Sequence, residues 1–363
     1  VPIRKVAEKF RARLKKTEPI HLAAVLELAE RAWRRPLAEA EKWELRGLYE
    51  KLRAKELPHE RAIRLTLARV LTSPAFLYRL EKPAAGAKAA PVTNRELANR
   101  LSFFLWSSMP DAELQRAMNG KIPAADKVVV EQARRLLRDG RTRRLSVEFA
   151  CQWLGIREFD TDDGKNEKLY PEFKKLRGAM YEESVRFFED MFRNDGPVLD
   201  LLSADHTFLN ERLAKHYGIP GVYGSRMRRV TLPDNSQRGG LLRHGSILAV
   251  TSYATRTSPV RRGKWVLDNI YGAPPPPPLP NVPALDETSV SAALPMRERL
   301  DTHRTNPVCA SCHRTIDPVG FALENFDAVG RWRDHEGDNG PIDVSGGLPG
   351  VGELDGVAGL EAG

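Results

Sequence analysis

The chain has 363 residues, 41% of them hydrophobic, and a formal net charge of +9, which suits a globular protein of two or three packed domains. No apolar run is long enough to span a bilayer, and three cysteines are too few for a disulfide scaffold. Basic residues gather at Arg134-Arg135, 141–144, 226–229 and Arg261-Arg262, but among acids and apolar positions that fit solvated helix faces, so no nucleic-acid partner is expected.

Leu22, Val25, Leu26, Ala29 and Trp33 repeat at helical spacing until Arg34-Arg35-Pro36 stops the run. A second helix is expected through Trp43, Leu48, Tyr49 and Leu52, and a third through Ala62, Ile63, Leu67, Val70 and Leu71 before Ser73-Pro74. Three such helices can bury a common face as a small bundle. A linker rich in Ala, Pro and Gly follows at 83–91. The next unit opens with Asn94 as the expected cap and Leu97, Leu101, Phe104 and Leu105 on one helical face. Ser108-Met109-Pro110-Asp111 reads as a break before a helix with proline in its first turn. Helices are predicted over 128–138, 143–155 and 172–192, the last with Phe173, Leu176, Met180, Phe187 and Met191 on its core side. Cys151 reads as a buried helical thiol among Phe149, Ala150, Gln152 and Trp153.

The texture then changes. Val222-Tyr223 and Arg229-Val230-Thr231 are β-prone, and a helix or turn carries Leu241, Leu242, Ile247 and Leu248. Five prolines at 274–278, then Leu279-Pro280, impose an extended polyproline spacer. With no glycine-rich phosphate loop and no strand–helix alternation, a doubly wound nucleotide-binding fold is not expected.

The chemistry concentrates near the end. Cys309-Ala310-Ser311-Cys312-His313 has the spacing of c-type haem attachment. Two thiols three residues apart reach the two vinyl groups of one porphyrin, and the next residue lies beneath the ring, where its imidazole can coordinate iron. A helix over 296–303 is predicted to precede the motif. A thioredoxin-like dithiol would need a βαβ setting that is absent. A structural zinc site would draw on Cys309, Cys312 and two of His303, His313 and His335. Arg256, Arg261, Arg262, Lys264 and Trp265 are candidate partners of haem propionates. Asp317-Pro318-Val319-Gly320 reads as a tight turn, with Asp317 a cap or turn acceptor. No methionine follows Met296, so a sixth iron ligand from this chain would be His335, His303, Met296 or His244. His335 ranks first, because the 22 residues after His313 let the chain fold back, and His303 second. An open position, or a ligand from outside this chain, is the alternative.

Several blocks resemble the large planctomycete-type envelope proteins that combine helical domains of unknown function with a cytochrome c-like domain. Arg31-Ala32-Trp33-Arg34-Arg35-Pro36-Leu37 and Ser73-Pro74-Ala75-Phe76-Leu77-Tyr78-Arg79 are similar to the first helical domain. Leu97-Ala98-Asn99-Arg100-Leu101-Ser102-Phe103-Phe104-Leu105-Trp106-Ser107-Ser108-Met109-Pro110-Asp111 is similar to the start of the second. The haem segment resembles the family's from Arg256-Thr257-Ser258-Pro259-Val260-Arg261-Arg262-Gly263, through Asp317-Pro318-Val319-Gly320-Phe321-Ala322-Leu323-Glu324-Asn325-Phe326-Asp327, to Gly330-Arg331-Trp332-Arg333. The resemblance implies one covalent haem c and an exported parent protein with further domains at both ends. It names no substrate and no catalytic residue.

The expected architecture is mainly α: helical domains at 18–82 and 92–232, the polyproline segment, a cytochrome c-like haem domain at 236–335 and the start of a truncated domain at 336–363. The expected function is periplasmic or cell-envelope redox chemistry or electron transfer. The electron goes to a redox partner protein or a small-molecule acceptor, within an enzyme acting on polymer-derived substrates such as a polysaccharide. The alternatives are a non-catalytic envelope binding protein with haem as a relay, and a zinc-stabilised interaction module.

Overall fold

The computed structural model describes residues 2–79, 81, 91–119, 124–233, 236–277, 294–336, 340–348 and 352–362. The chain is mainly α, as expected, and divides into two compact units, 1–141 and 142–363, a cut that falls inside the 92–232 segment. Most of the 83–91 linker, and Pro278 to Pro280 of the proline run, lie outside the described residues.

The first unit holds α1 (Pro2–Ala32), α2 (Glu39–Ala54), α3 (His59–Leu71), α4 (Pro74–Leu77), α5 (Asn94–Trp106), α6 (Ala112–Ala117) and α7 (Asp126–Arg138). Val25, Leu26 and Ala29 of α1, with Trp33 just after it, meet Leu37, Leu45 and Val70 in one apolar cluster. The Trp33 indole is satisfied by the Val70 carbonyl at 3.0 Å, as a buried N–H requires. Arg34 closes α1 with φ of 59° and donates to the carbonyls of Ala75 (2.7 Å) and Tyr78 (2.8 Å). Arg35 forks onto both oxygens of Glu41 at 2.7 Å. Trp33-Arg34-Arg35 is thus a clamp that ties the end of α1 to α2, α3 and α4. Trp43, expected in the core, is 76% exposed. Leu45 and Tyr49 carry the buried face of α2 instead.

The cap of α5 is Thr93, one residue before the expected Asn94. Its hydroxyl accepts from Glu96 N, and the Glu96 carboxylate returns to Thr93 N, a reciprocal box that outranks a lone Asn. Asn94 is instead buried and accepts from Ala124 N at 2.8 Å. The cap of α6 is Asp111, so Pro110 precedes the helix rather than opening it. Asp111 also receives a fork from Arg135, both bonds 2.9 Å. Trp106 donates to Leu136 O at 2.9 Å beneath Arg141, whose guanidinium lies 3.4 Å from the ring centroid. That anchor turns Ala98, Ser102 and Leu105 inward and leaves Phe104 63% exposed.

The second unit begins with broken helix: α8 (Arg143–Leu145), a π-turn (Ser146–Ala150) and α9 (Cys151–Trp153) replace the continuous helix expected over 143–155. Its central element is α10 (Phe173–Asn194), whose Phe173, Leu176, Met180 and Phe187 are buried as expected, with Cys151 in the same cluster. After α11 (Asp200–Ser203), β1 (His206–Leu209) and α12 (Glu211–Tyr217), β2 (Arg228–Thr231) pairs antiparallel with β1, His206 opposite Thr231. A second cluster forms around α13 (Gly245–Val250), α14 (Pro259–Asn269) and α16 (Pro307–Phe321), beside α15 (Met296–His303). The antiparallel pair β3 (Ser345–Leu348) and β4 (Gly352–Asp355), with α17 (Gly356–Ala362), contributes Leu354, Val357 and Leu360 to this core. Arg243 forks onto Glu361 at its edge.

Two glycines let α14 and α16 touch backbone to backbone. A Cβ on Gly263 would lie 2.9 Å from the carbonyl carbon of Ile316 and 3.0 Å from Gly320 N. A Cβ on Gly320 would lie 2.7 Å from Pro259 Cα. Only glycine permits this approach. The Asp317-Pro318-Val319-Gly320 segment, expected as a turn, is therefore helix that continues α16, with Pro318 inside it.

Candidate cofactor site

The site is assembled on α16. Asn306 caps the helix by accepting from Val308 N at 3.0 Å, and Pro307 occupies its first position, the usual pairing at a helix start. Cys309 and Cys312 follow within the first turns, and Cys312 packs against the second core cluster. Cys309 is 3% exposed and Cys312 half-buried.

His313 comes next. Its Nδ1 lies 2.9 Å from Oδ1 of Asp317, one turn further along the same helix, and the Asp317 side chain is fully buried. A carboxylate four residues on can accept the N–H of Nδ1, which would leave the lone pair on Nε2. Oδ2 of Asp317 has no hydrogen-bond partner, and Arg304 Nε stands 3.9 Å from it. Arg304 is itself paired with Asp301.

His303, at the end of α15, sets its ring edge-on to His313 with centroids 4.9 Å apart. That is van der Waals contact, and no porphyrin fits between the two rings. In this arrangement His303 neighbours the motif histidine instead of facing it across an iron. Burial, and then His313, hold its imidazole below the usual pKa.

The other sixth-ligand candidates lie apart from the motif. His335 is exposed and bridges to Pro341. Met296 packs with Leu300 and Phe321. His244 is buried in the body of the unit, Nδ1 on Ser184 at 2.9 Å and its ring edge-on to Phe187. Burial presses it down to about 3.

The basic residues of α14 are also placed. Arg262 is completely buried and donates to the carbonyls of Leu323 (2.7 Å), Phe326 (2.7 Å) and Asp327 (2.8 Å), and to Glu324. The guanidinium groups of Arg256 and Arg261 both lie over the Tyr253 ring, 4.6 and 4.9 Å from its centroid. Trp265 gives its indole N–H to Leu154 O at 3.1 Å, and Lys264 pairs with Asp268. The expected propionate role thus meets committed groups at Arg262, Lys264 and Trp265. Gly320, which packs against the start of α14, lies eleven residues beyond Cys309, about 16 Å along a helix at 1.5 Å per residue.

Among the described residues no group of three or more His, Cys, Asp or Glu is arranged to hold a metal ion. The zinc alternative therefore has no ligand set there. The donor set that remains suits a porphyrin iron: two thiols at the right spacing and one imidazole oriented through Nδ1, with no hydrogen bond at Nε2 among the described residues. Asp317, read from the sequence as a cap or turn acceptor, is instead the partner of His313. The signal was its four-residue spacing from His313, masked by the proline and glycine that suggested a turn.

Three family models match the chain in succession. Residues 22–81 match PSD5, a protein of unknown function (DUF1595). Residues 92–219 match PSD4, of unknown function (DUF1592), and residues 238–336 match PSCyt3, of unknown function (DUF1588). The resemblance to planctomycete-type multidomain proteins holds at the level of these domains. No curated protein and no solved structure matches the chain. No described helix is long and apolar enough to cross a membrane.

Proposed function

We propose that this chain carries one haem c, attached through Cys309 and Cys312 with His313 as axial ligand, and works in extracytoplasmic redox chemistry or electron transfer. The observation that carries this reading is the His313–Asp317 pair, 2.9 Å apart and placed directly after two thiols on a capped helix. A metal-bound histidine typically gives its other ring N–H to such a partner. The name of the model matching 238–336 points the same way. When bound, the haem supplies one-electron chemistry at its iron.

The protein's own part is to hold and orient. Cys309 and Cys312 fix two edges of the ring, Asp317 fixes the imidazole, and the Gly263–Gly320 contact braces α16 against α14. The electron is exchanged with a redox protein or a small-molecule acceptor. The cell envelope is the proposed location, because haem is attached to this motif outside the cytoplasm.

The test is export of the chain in a host with a haem-attachment system. Haem absorption that survives denaturation is expected, and Cys309→Ala with Cys312→Ala should abolish it. Stoichiometric zinc without haem in the exported protein would overturn the reading.

A further inference from the structure

Burying a carboxylate is costly unless its lone pairs are occupied, yet Asp317 is fully buried with Oδ2 unpartnered. The fold gives it no other task. It caps no helix end, and its side-chain hydrogen bond goes to His313 Nδ1. Arg304 approaches no closer than 3.9 Å and is engaged with Asp301. The geometry is that of a carboxylate retained for the sake of the imidazole.

We propose that Asp317 is the positioning residue of the cofactor site: it holds His313 as the Nδ1–H tautomer, leaves Nε2 to the iron, and biases that iron toward the ferric state. This rests on the haem reading above. Two physical effects are involved. A free imidazole carries its proton on either nitrogen, so a fixed acceptor at Nδ1 removes half of the ring's choices before any metal arrives. A hydrogen bond to an anionic acceptor in a low-dielectric site also draws the Nδ1 proton outward and makes the ring a stronger donor. A stronger donor stabilises the more highly charged iron, so one electron leaves for an external oxidant more readily and returns less readily. Axial-ligand strength and the hydrogen bonding behind it are established levers on haem potential.

The arrangement also assigns Arg304 a role. Its guanidinium offsets part of the Asp317 charge, so its removal should strengthen the pull on the Nδ1 proton. The Arg304 side chain is partly buried, 24% exposed, and leucine there removes the charge while keeping an apolar side chain against its neighbours.

The first experiment uses the full chain without haem, labelled with ¹⁵N-histidine and studied by NMR above neutral pH. His313 should be the Nδ1–H tautomer, and Asp317→Ala should return it to a mixture richer in Nε2–H. The second measures the midpoint potential of the haem-loaded, exported protein. Asp317→Asn, at unchanged haem content, should raise it by at least the equivalent of a tenfold shift in the ferric-to-ferrous ratio, about 59 mV for one electron. Arg304→Leu should lower it.

An Nε2–H tautomer in the unsubstituted protein overturns the proposal, as does an Asp317→Asn protein with unchanged potential. Should Asp317→Asn fail to fold, the native tautomer and Arg304→Leu decide. Failure of the unsubstituted protein to take up haem would instead remove the haem reading, while the tautomer measurement still judges the His313–Asp317 pair.

Discussion

Replacing Gly263 by alanine tests the contact that sets α16 in place. The added Cβ would lie 2.9 Å from the Ile316 carbonyl carbon and 3.0 Å from Gly320 N, where carbon contacts settle near 3.5–4.0 Å. Both neighbours are backbone of a helix and cannot swing aside. The helices must part by about 1 Å, which places the cost near the top of the usual overpacking range, about 3 kcal/mol. Alanine returns about 1 kcal/mol through its better helix propensity, leaving a net loss of about 2 kcal/mol. For a unit of this size that is a fall in Tm of roughly 4–8 °C. Gly178 is the control, since it lies within α10 with nothing within 4 Å of its Cβ position. Gly178→Ala should stabilise the protein by about 0.5–1 kcal/mol. Calorimetry or urea unfolding reads both. A Gly263→Ala protein as stable as Gly178→Ala would refute the close approach of α14 and α16.

Arg262→Met should cost about 3–5 kcal/mol by urea unfolding, because it strands three carbonyls and part of the Glu324 charge in the core; a loss below about 1 kcal/mol would contradict its structural role. Glu183 is buried between Thr207 and Tyr217, and desolvation raises its carboxyl to about 7. The folded state then keeps a proton that the unfolded chain releases near 4.5, so stability from this group is lost as pH rises from about 4.5 to about 7, roughly 3 kcal/mol in all. His244 acts in the opposite sense from about 6.5 down to about 3, so the Glu183 part is read as the difference between the native protein and Glu183→Gln; parallel pH profiles would refute it. In the haem-free folded chain a maleimide should label Cys312 first, Cys309 slowly, and Cys151 not at all, since Cys151 is buried and its thiol is pushed up to about 11; fast labelling of Cys151 would contradict its placement.

Stretches with unbroken apolar periodicity were legible in the sequence, as the end of α1 from Leu22, α3 and α10 illustrate. What escaped depended on partners distant in the chain. The inward face of α5 is decided by Trp106 bonding Leu136 O, a choice that local spacing around Phe104 does not reveal. β1 is buried at all four positions, so it lacks the alternation that marks a half-buried strand. Asp317-Pro318-Val319-Gly320 carries every local sign of a turn, since the residue before proline avoids helix and proline forfeits a donor. Tertiary packing overrides these signs, because Gly320 meets Pro259 and Gly346 meets Pro318 at distances no other residue allows. At the site, the cysteines and His313 are nominated by their spacing alone, and the structure adds the neighbours of His313. The Asp317 partnership became visible only once the segment was known to be helical, because four residues bring side chains together on a helix and not in a turn.

The most direct measurement is mass spectrometry of the exported, denatured protein after digestion. One haem is expected on the peptide that contains Cys309 and Cys312, and on no other. An unmodified peptide from protein matured in a host that attaches haem to a control cytochrome would contradict the proposed function.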